Sequence, residues 1–345
     1  MRGHWQIISC IALLIAAGSG VRAQQKSGLL LTTASGSADG QRFHAYWITR
    51  DGPQVQITEG LRLLVPRKSG WWEVGVTTLT RVNSAARSEA VWTAPVGEKR
   101  RTTHVIPVSD DDRCADDISA YSLSWVGTDF AALQHGYEST CGAHPVSGEE
   151  SFVARLEDLR RKDQDLRPVL PLSEVAGAEA VGAMKLGADV ADLRDAPNPS
   201  EDPANPALTA SETSWIVVRT KGHYRLLGTS VLEHGHGGET YAVPIDPPKT
   251  LVGADDLAVG WDSILEKLPD ASDAYTSPDG DLLVLITPHF LSIFEVQNKQ
   301  IGKRLARVGL EAAAVISAQW APSGSVDGWN TTLVPLLQEA PVIQK

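Results

Sequence analysis

Short apolar runs, punctuated by Gly, Pro, Asp or Ser, recur along most of the chain. Gly28 to Thr33, Phe43 to Thr49, Leu61 to Val65, Trp71 to Leu79 and Ala90 to Thr93 are rich in β-branched, aromatic and aliphatic side chains, the kind that fill a pleated, half-buried surface. Trp215 to Arg219, Tyr224 to Leu232, Leu282 to Thr287 and Leu291 to Val296 repeat the style, with turn-forming residues between neighbours. The pattern predicts a mainly β protein, β-rich α+β in class, of antiparallel meander sheets with one or two short helices. The better helix is expected over Asp256 to Leu268, where Leu257, Trp261, Ile264, Leu265 and Leu268 share one face, Asp256 can cap and Pro269 stops it. A second is expected over Ser173 to Leu186, weakened by Gly177 and Gly182.

The stretch 195–213, crowded with Pro, Asn, Asp and Ser, has too little apolar area to order itself and reads as a linker or long surface loop. It divides the chain into β-rich halves, 24–194 and 214–345. Across it runs an echo at a fixed offset of 152 positions: Leu64 to Val74 matches Ile216 to Leu226 as strand, Gly-containing turn, aromatic pair, strand. Such hairpins suit duplicated halves or a propeller-like repeat, though any antiparallel protein contains hairpins.

The first 23 residues change the picture. Arg2 precedes an apolar run from Ile7 to Ala17, and Val21-Arg22-Ala23 offers a cut near Gln24. This is a signal-peptide pattern, and the run is short for a bilayer span. A retained membrane anchor is the alternative. The mature chain then has no segment of membrane-spanning length and is expected to be secreted or periplasmic. Of three cysteines, Cys114 and Cys141 survive cleavage; an even pair in an oxidising compartment is expected to join. That disulfide would close a loop of about 27 residues and contribute roughly 3.5 kcal/mol by the chain-entropy model. With 31 basic against 42 acidic residues, the surface disfavours nucleic acid and anionic membranes.

Tyr121-Ser122-Leu123-Ser124-Trp125, Tyr137 and Cys141-Gly142-Ala143-His144-Pro145, followed by Ser151 to Leu159 and Leu172-Ser173-Glu174-Val175, resemble an extracytoplasmic domain found beside bacterial polysaccharide deacetylases and anti-sigma factors. Pro269 to Asp281, leading to Ala318-Gln319-Trp320-Ala321, is similar to a pattern in uncharacterised secreted bacterial proteins and lipoproteins. Neither resemblance implies a catalytic residue.

Candidate chemistry is thin. Glu233-His234-Gly235-His236-Gly237-Gly238-Glu239 could set His234 and His236 on one strand face as ligands for a divalent metal, although the glycines equally suit a mobile turn with solvated imidazoles. His144, before Pro145, could present a further ligand or a proton-transfer group. Asp110 to Asp112, Asp116, Asp117, Asp279 and Asp281 supply carboxylates, yet no calcium loop with a distal bidentate Glu appears. Ten tryptophans include the adjacent Trp71 and Trp72. On a strand they face opposite ways, so one ring enters the core and the other could stack a sugar or peptide, unless a helix or loop covers it. Gly-x-Ser-x-Gly, His-Glu-x-x-His, phosphate-binding Gly-Lys and Cys-x-x-Cys patterns are missing. The expectation is a binding or accessory protein for an envelope glycan or protein partner, with no cofactor beyond a possible divalent metal. A metal-assisted hydrolase using His144, His234 and His236 is the rival.

Overall fold

Side chains that alternate across extended backbone turn most of the predicted runs into strands. The computed structural model describes residues 26–37, 40–80, 87–98, 118–139, 146–160, 169–195, 210–230, 240–253, 255–310 and 313–339. In chain order these form β1 (Ser27–Ser37), β2 (Gly40–Asp51), β3 (Gln54–Gly60), β4 (Leu63–Arg67), β5 (Gly70–Thr80), β6 (Arg87–Pro95), β7 (Ile118–Val126), β8 (Phe130–Ser139) and β9 (Val146–Arg155). Helices α1 (Leu172–Ala176) and α2 (Glu179–Asp195) precede β10 (Trp215–Thr220), β11 (His223–Thr229) and β12 (Thr240–Val243). Then come α3 (Lys249–Val252), α4 (Trp261–Lys267), β13 (Asp273–Thr276), β14 (Leu282–Ile286), β15 (Phe290–Gln297), β16 (Gln300–Gly309), β17 (Ala314–Trp320) and α5 (Val326–Gln338). The protein is mainly β, as the pattern predicted.

The strands make four sheets, ordered β17-β1-β2-β3, β4 through β9, β10-β11-β12 and β13-β14-β15-β16. Among the described residues pairing is antiparallel, save one parallel bridge, Ser88 to Ser119, between β6 and β7. Each sheet packs on the next. Leu29, Leu31, Tyr46 and Ile48 meet Leu282, Val284, Leu291 and Ile293 between the first and last sheets. Ala34 and Ile316 meet Leu63, Val65, Leu123 and Leu133 of the six-stranded sheet. On that sheet's other side Trp125, Ala132 and Val153 join Trp215, Val217, Tyr224 and Leu226. Arg219 then ties β10 to Asp273 at the start of β13. The contacts therefore run in a circuit from the first sheet through all the others and back.

That circuit crosses the expected boundary. Strand β17 adds to the edge of β1, with Leu29 opposite Trp320 and Leu31 opposite Ala318, so the opening and closing segments share one sheet. Lys26 reinforces the junction by donating to Asp327, 301 positions later, at 2.9 Å. Of the stretch read as a linker, residues 196–209 lie outside the described residues; Leu170, Leu172, Trp215 and Ile216 on its two flanks share one core.

Helices depart from expectation in instructive ways. The predicted helix at Asp256 begins only at Trp261, because the chain bends at Ala258 and Val259 to bring Leu257 and Val259 to the core under β13 to β16 and the Ala258 N–H donates to Thr276 Oγ1. Gly177, at φ 83°, splits the other predicted helix into α1 and α2, a conformation that glycine tolerates best. Helix α5 was not expected. It buries Val326, Leu333 and Leu337 against Leu30, Ala45, Trp47 and Leu64, and Trp47 donates to Asn330 Oδ1 at 2.6 Å. Gly60 permits this docking: a Cβ there would lie 2.6 Å from the Leu337 carbonyl oxygen.

Both segments of the sequence echo are hairpins, β4–β5 and β10–β11. Their turns fall at Lys68-Ser69 and Lys221-Gly222, one position out of step with the 152-residue offset.

Candidate functional site

Trp71 and Trp72 point to opposite faces of β5, and both rings are engaged within the molecule. Trp72 is 6 % exposed; the guanidinium carbons of Arg67 and Arg160 lie 4.8 and 5.6 Å from its centroid. Its Nε1 donates to Ser69 Oγ at 3.0 Å. Trp71 meets Trp329 of α5 edge-on at 4.8 Å and donates to Thr332 Oγ1 at 2.9 Å. Helix α5 thus covers the ring that does not enter the sheet core. His144, His234 and His236, and the pair Cys114 and Cys141, lie outside the described residues. Among the described residues no three His, Cys, Asp or Glu side chains are grouped to hold a metal ion. Asp281, a carboxylate of the late turn, accepts from Ser27, Ser277 and Arg50.

A different constellation stands at one end of the six-stranded sheet. Register places Leu123, Leu133 and Phe152 side by side on β7, β8 and β9, and all three are core residues. Two positions along, the same face carries Tyr121, His135 and Glu150 in the next rung. Apolar packing gives way to polar rings within one strand repeat. His135, 4 % exposed, stacks on Tyr121 at 4.3 Å and 15° and lies 5.6 Å from Tyr137, its neighbour two residues on. Glu150 Oε2 approaches His135 Nδ1 at 3.8 Å. From β6, the buried Glu89 accepts the Tyr121 backbone N–H at 3.0 Å. Tyr121, Tyr137 and Glu150 are half-buried, and His135 between Tyr121 and Glu150 is buried. The arrangement combines aromatic faces, carboxylate acceptors and one imidazole, chemistry suited to gripping a polyol or a cationic group.

The other buried polar groups serve as ties between sheets. Arg219 donates to Asp273 and Asp255 and to the carbonyls of Gly222 and Ala274. It lies between the rings of Tyr224, at 4.6 Å, and Tyr275, at 4.1 Å. Burial opposes its charge, but Tyr275, Asp273, Tyr224 and Asp255 outweigh that and hold its pKa up. Burial drives the Tyr275 phenol well above its ordinary range and Tyr224 upward as well. Arg50 makes the corresponding tie between β2 and the last sheet, donating to Asp281 and to Glu295 at 2.7 Å.

No motif in the sequence around His135 marks it as a candidate. The usable signal is the pair of i, i+2 spacings: His135 with Tyr137 on one strand and Tyr121 with Leu123 on its neighbour, each continuing a core face. Register could not be read from the sequence, so their meeting could not be either. No family model and no curated protein matches the chain.

Proposed function

We propose that the protein is an extracytoplasmic binding or accessory protein, engaging an envelope glycan or a partner protein through the Tyr121, His135, Tyr137 and Glu150 rung. One observation carries this reading: half-buried tyrosines and a carboxylate extend the core face towards one end of the six-stranded sheet. Rings held by strand register present contact area with little rotamer entropy to lose. The signal-peptide pattern, the acidic charge balance and the likeness of residues 121–175 to an extracytoplasmic domain support placement outside the cytoplasm. Among the described residues no helix is long and apolar enough to cross a membrane.

The test is calorimetric titration of the purified mature protein with soluble peptidoglycan fragments and with envelope glycans, alongside Tyr121→Ala and Tyr137→Ala variants. Saturable heat in the wild type that falls about tenfold or more in affinity in either variant, as loss of one stacking anchor implies, supports the reading. Equal binding in all three proteins, or none in the wild type, overturns it.

A further inference from the structure

Strand β16 is the outer edge of its sheet, pairing among the described residues with β15 alone. In a chain of formal net charge −11, this edge is basic: Lys299 occupies the hairpin turn, and Lys303, Arg304 and Arg307 follow, all four exposed. None makes an ion pair with another described residue, whereas other arginines of the molecule, such as Arg50, Arg62, Arg67 and Arg219, are held by carboxylates.

The ladder between β15 and β16 shifts register between Ile293 and Phe294 and again between Phe294 and Val296. Ser292 lies opposite Arg307, and Phe294 lies opposite Arg304. Regular alternation would send residues three apart to opposite faces; the first shift places both arginines on one face. At the rise of an extended strand their Cα atoms stand about 7–10 Å apart. Arg307 also lies over the Phe290 ring at 3.3 Å, which holds its guanidinium against the sheet.

We propose that this edge binds an anionic polysaccharide, carboxylated or sulfated, with Arg304 and Arg307 each taking one acidic group and Lys303 flanking them. Guanidinium forks match carboxylate and sulfate oxygens bidentately. The same two register shifts, together with the lysines, oppose addition of a further strand, so a ligand read by side chains fits better than an extended acidic peptide paired through its backbone. The acidic remainder of the surface confines contact to a short stretch of polymer. The site is separate from the Tyr121 rung and does not depend on it.

Fluorescence anisotropy with a labelled sulfated heparin hexasaccharide tests the proposal. Binding should weaken steadily with added salt. Arg304→Glu/Arg307→Glu should lose on the order of tenfold or more in affinity, and Arg304→Lys/Arg307→Lys should fall between. Circular dichroism of the glutamate variant checks that it folds; should it not, the lysine variant carries the comparison. Unchanged affinity in the folded charge-reversal variant, no binding by the wild type, or equal or tighter binding of a polyglutamate chain of matched charge would overturn it.

Discussion

Arg219 lies over the ring of Tyr224 at 4.6 Å, five positions later, and Arg67 lies over Trp72 at 4.8 Å with the same spacing. Each guanidinium is held across a hairpin and by two carboxylates, Asp255 and Asp273 for Arg219, Asp129 and Glu157 for Arg67. The surroundings differ. The side chains of Asp273 and Asp255 are 13 % and 23 % exposed, those of Asp129 and Glu157 55 % and 68 %. Replacing Arg219 by Met leaves two largely buried carboxylates without their guanidinium, a loss of about 3–5 kcal/mol. Replacing Arg67 by Met exposes its partners to water, and only the ring contact and at most about 1 kcal/mol of ion pairing are lost. Urea denaturation of both variants checks the ordering; an Arg67→Met loss as large as that of Arg219→Met contradicts it.

Gly60→Ala should destabilise by about 1–3 kcal/mol, because the new methyl meets the backbone of Leu337 rather than a side chain that could swing aside. Thermal unfolding followed by tryptophan fluorescence reads this directly. Gly36→Ala, which meets nothing within 4 Å, is the matched control and should shift the midpoint little.

Removing the Trp329 ring should cost roughly 2 kcal/mol, below the range for a fully buried tryptophan, since Trp329 is half-buried between Trp47 and Trp71. In Trp329→Ala, Trp71 loses the ring that covers it, so iodide should quench a larger share of the emission than in the wild type.

Burial pushes the Tyr241 phenol up to about 12. Its hydroxyl is buried without a hydrogen-bond partner among the described residues. A raised folded-state pKa means that the native protein keeps a proton that the unfolded chain gives up. Stability therefore falls as pH rises from about 10 to about 12, by on the order of 1.4 kcal/mol for each pH step of one across that interval. Below pH 10 the contribution is fully present. Tyr241→Phe should flatten that alkaline decline in denaturation midpoints measured between about pH 9 and 12.

Mass spectrometry of the exported product checks the reading of the amino terminus and the cysteines. The expected mass begins at Gln24 and is about two daltons below the fully reduced value, reflecting a bond between Cys114 and Cys141. Free thiols on both, or a retained Met1, would contradict that reading.

Strand content was legible because it depends on local alternation: Phe43 to Thr49, Trp71 to Leu79 and Leu291 to Val296 lie within strands. Strand β16 was not legible, since its run of Lys303, Arg304 and Arg307 suits an exposed edge rather than a half-buried face. Helix α5 escaped notice because Gly328, two threonines and Pro335 mask its apolar stripe; its helicity comes from docking on Trp47 and Leu64. The candidate rung is a matter of register between strands. Tyr121 and His135 are fourteen positions apart, and nothing in either strand alone states which residue will stand opposite which.

The pairing of β17 with β1 also constrains how the protein comes to exist. The first sheet lacks an edge strand until the final segments have been made, and contacts between residues as remote as Lys26 and Asp327 carry a large loop-closure cost before they are rewarded. A chain halted before Ala314 would leave the β1 edge bare, open to pairing with other molecules. Completion of the first sheet therefore waits on synthesis through Trp320.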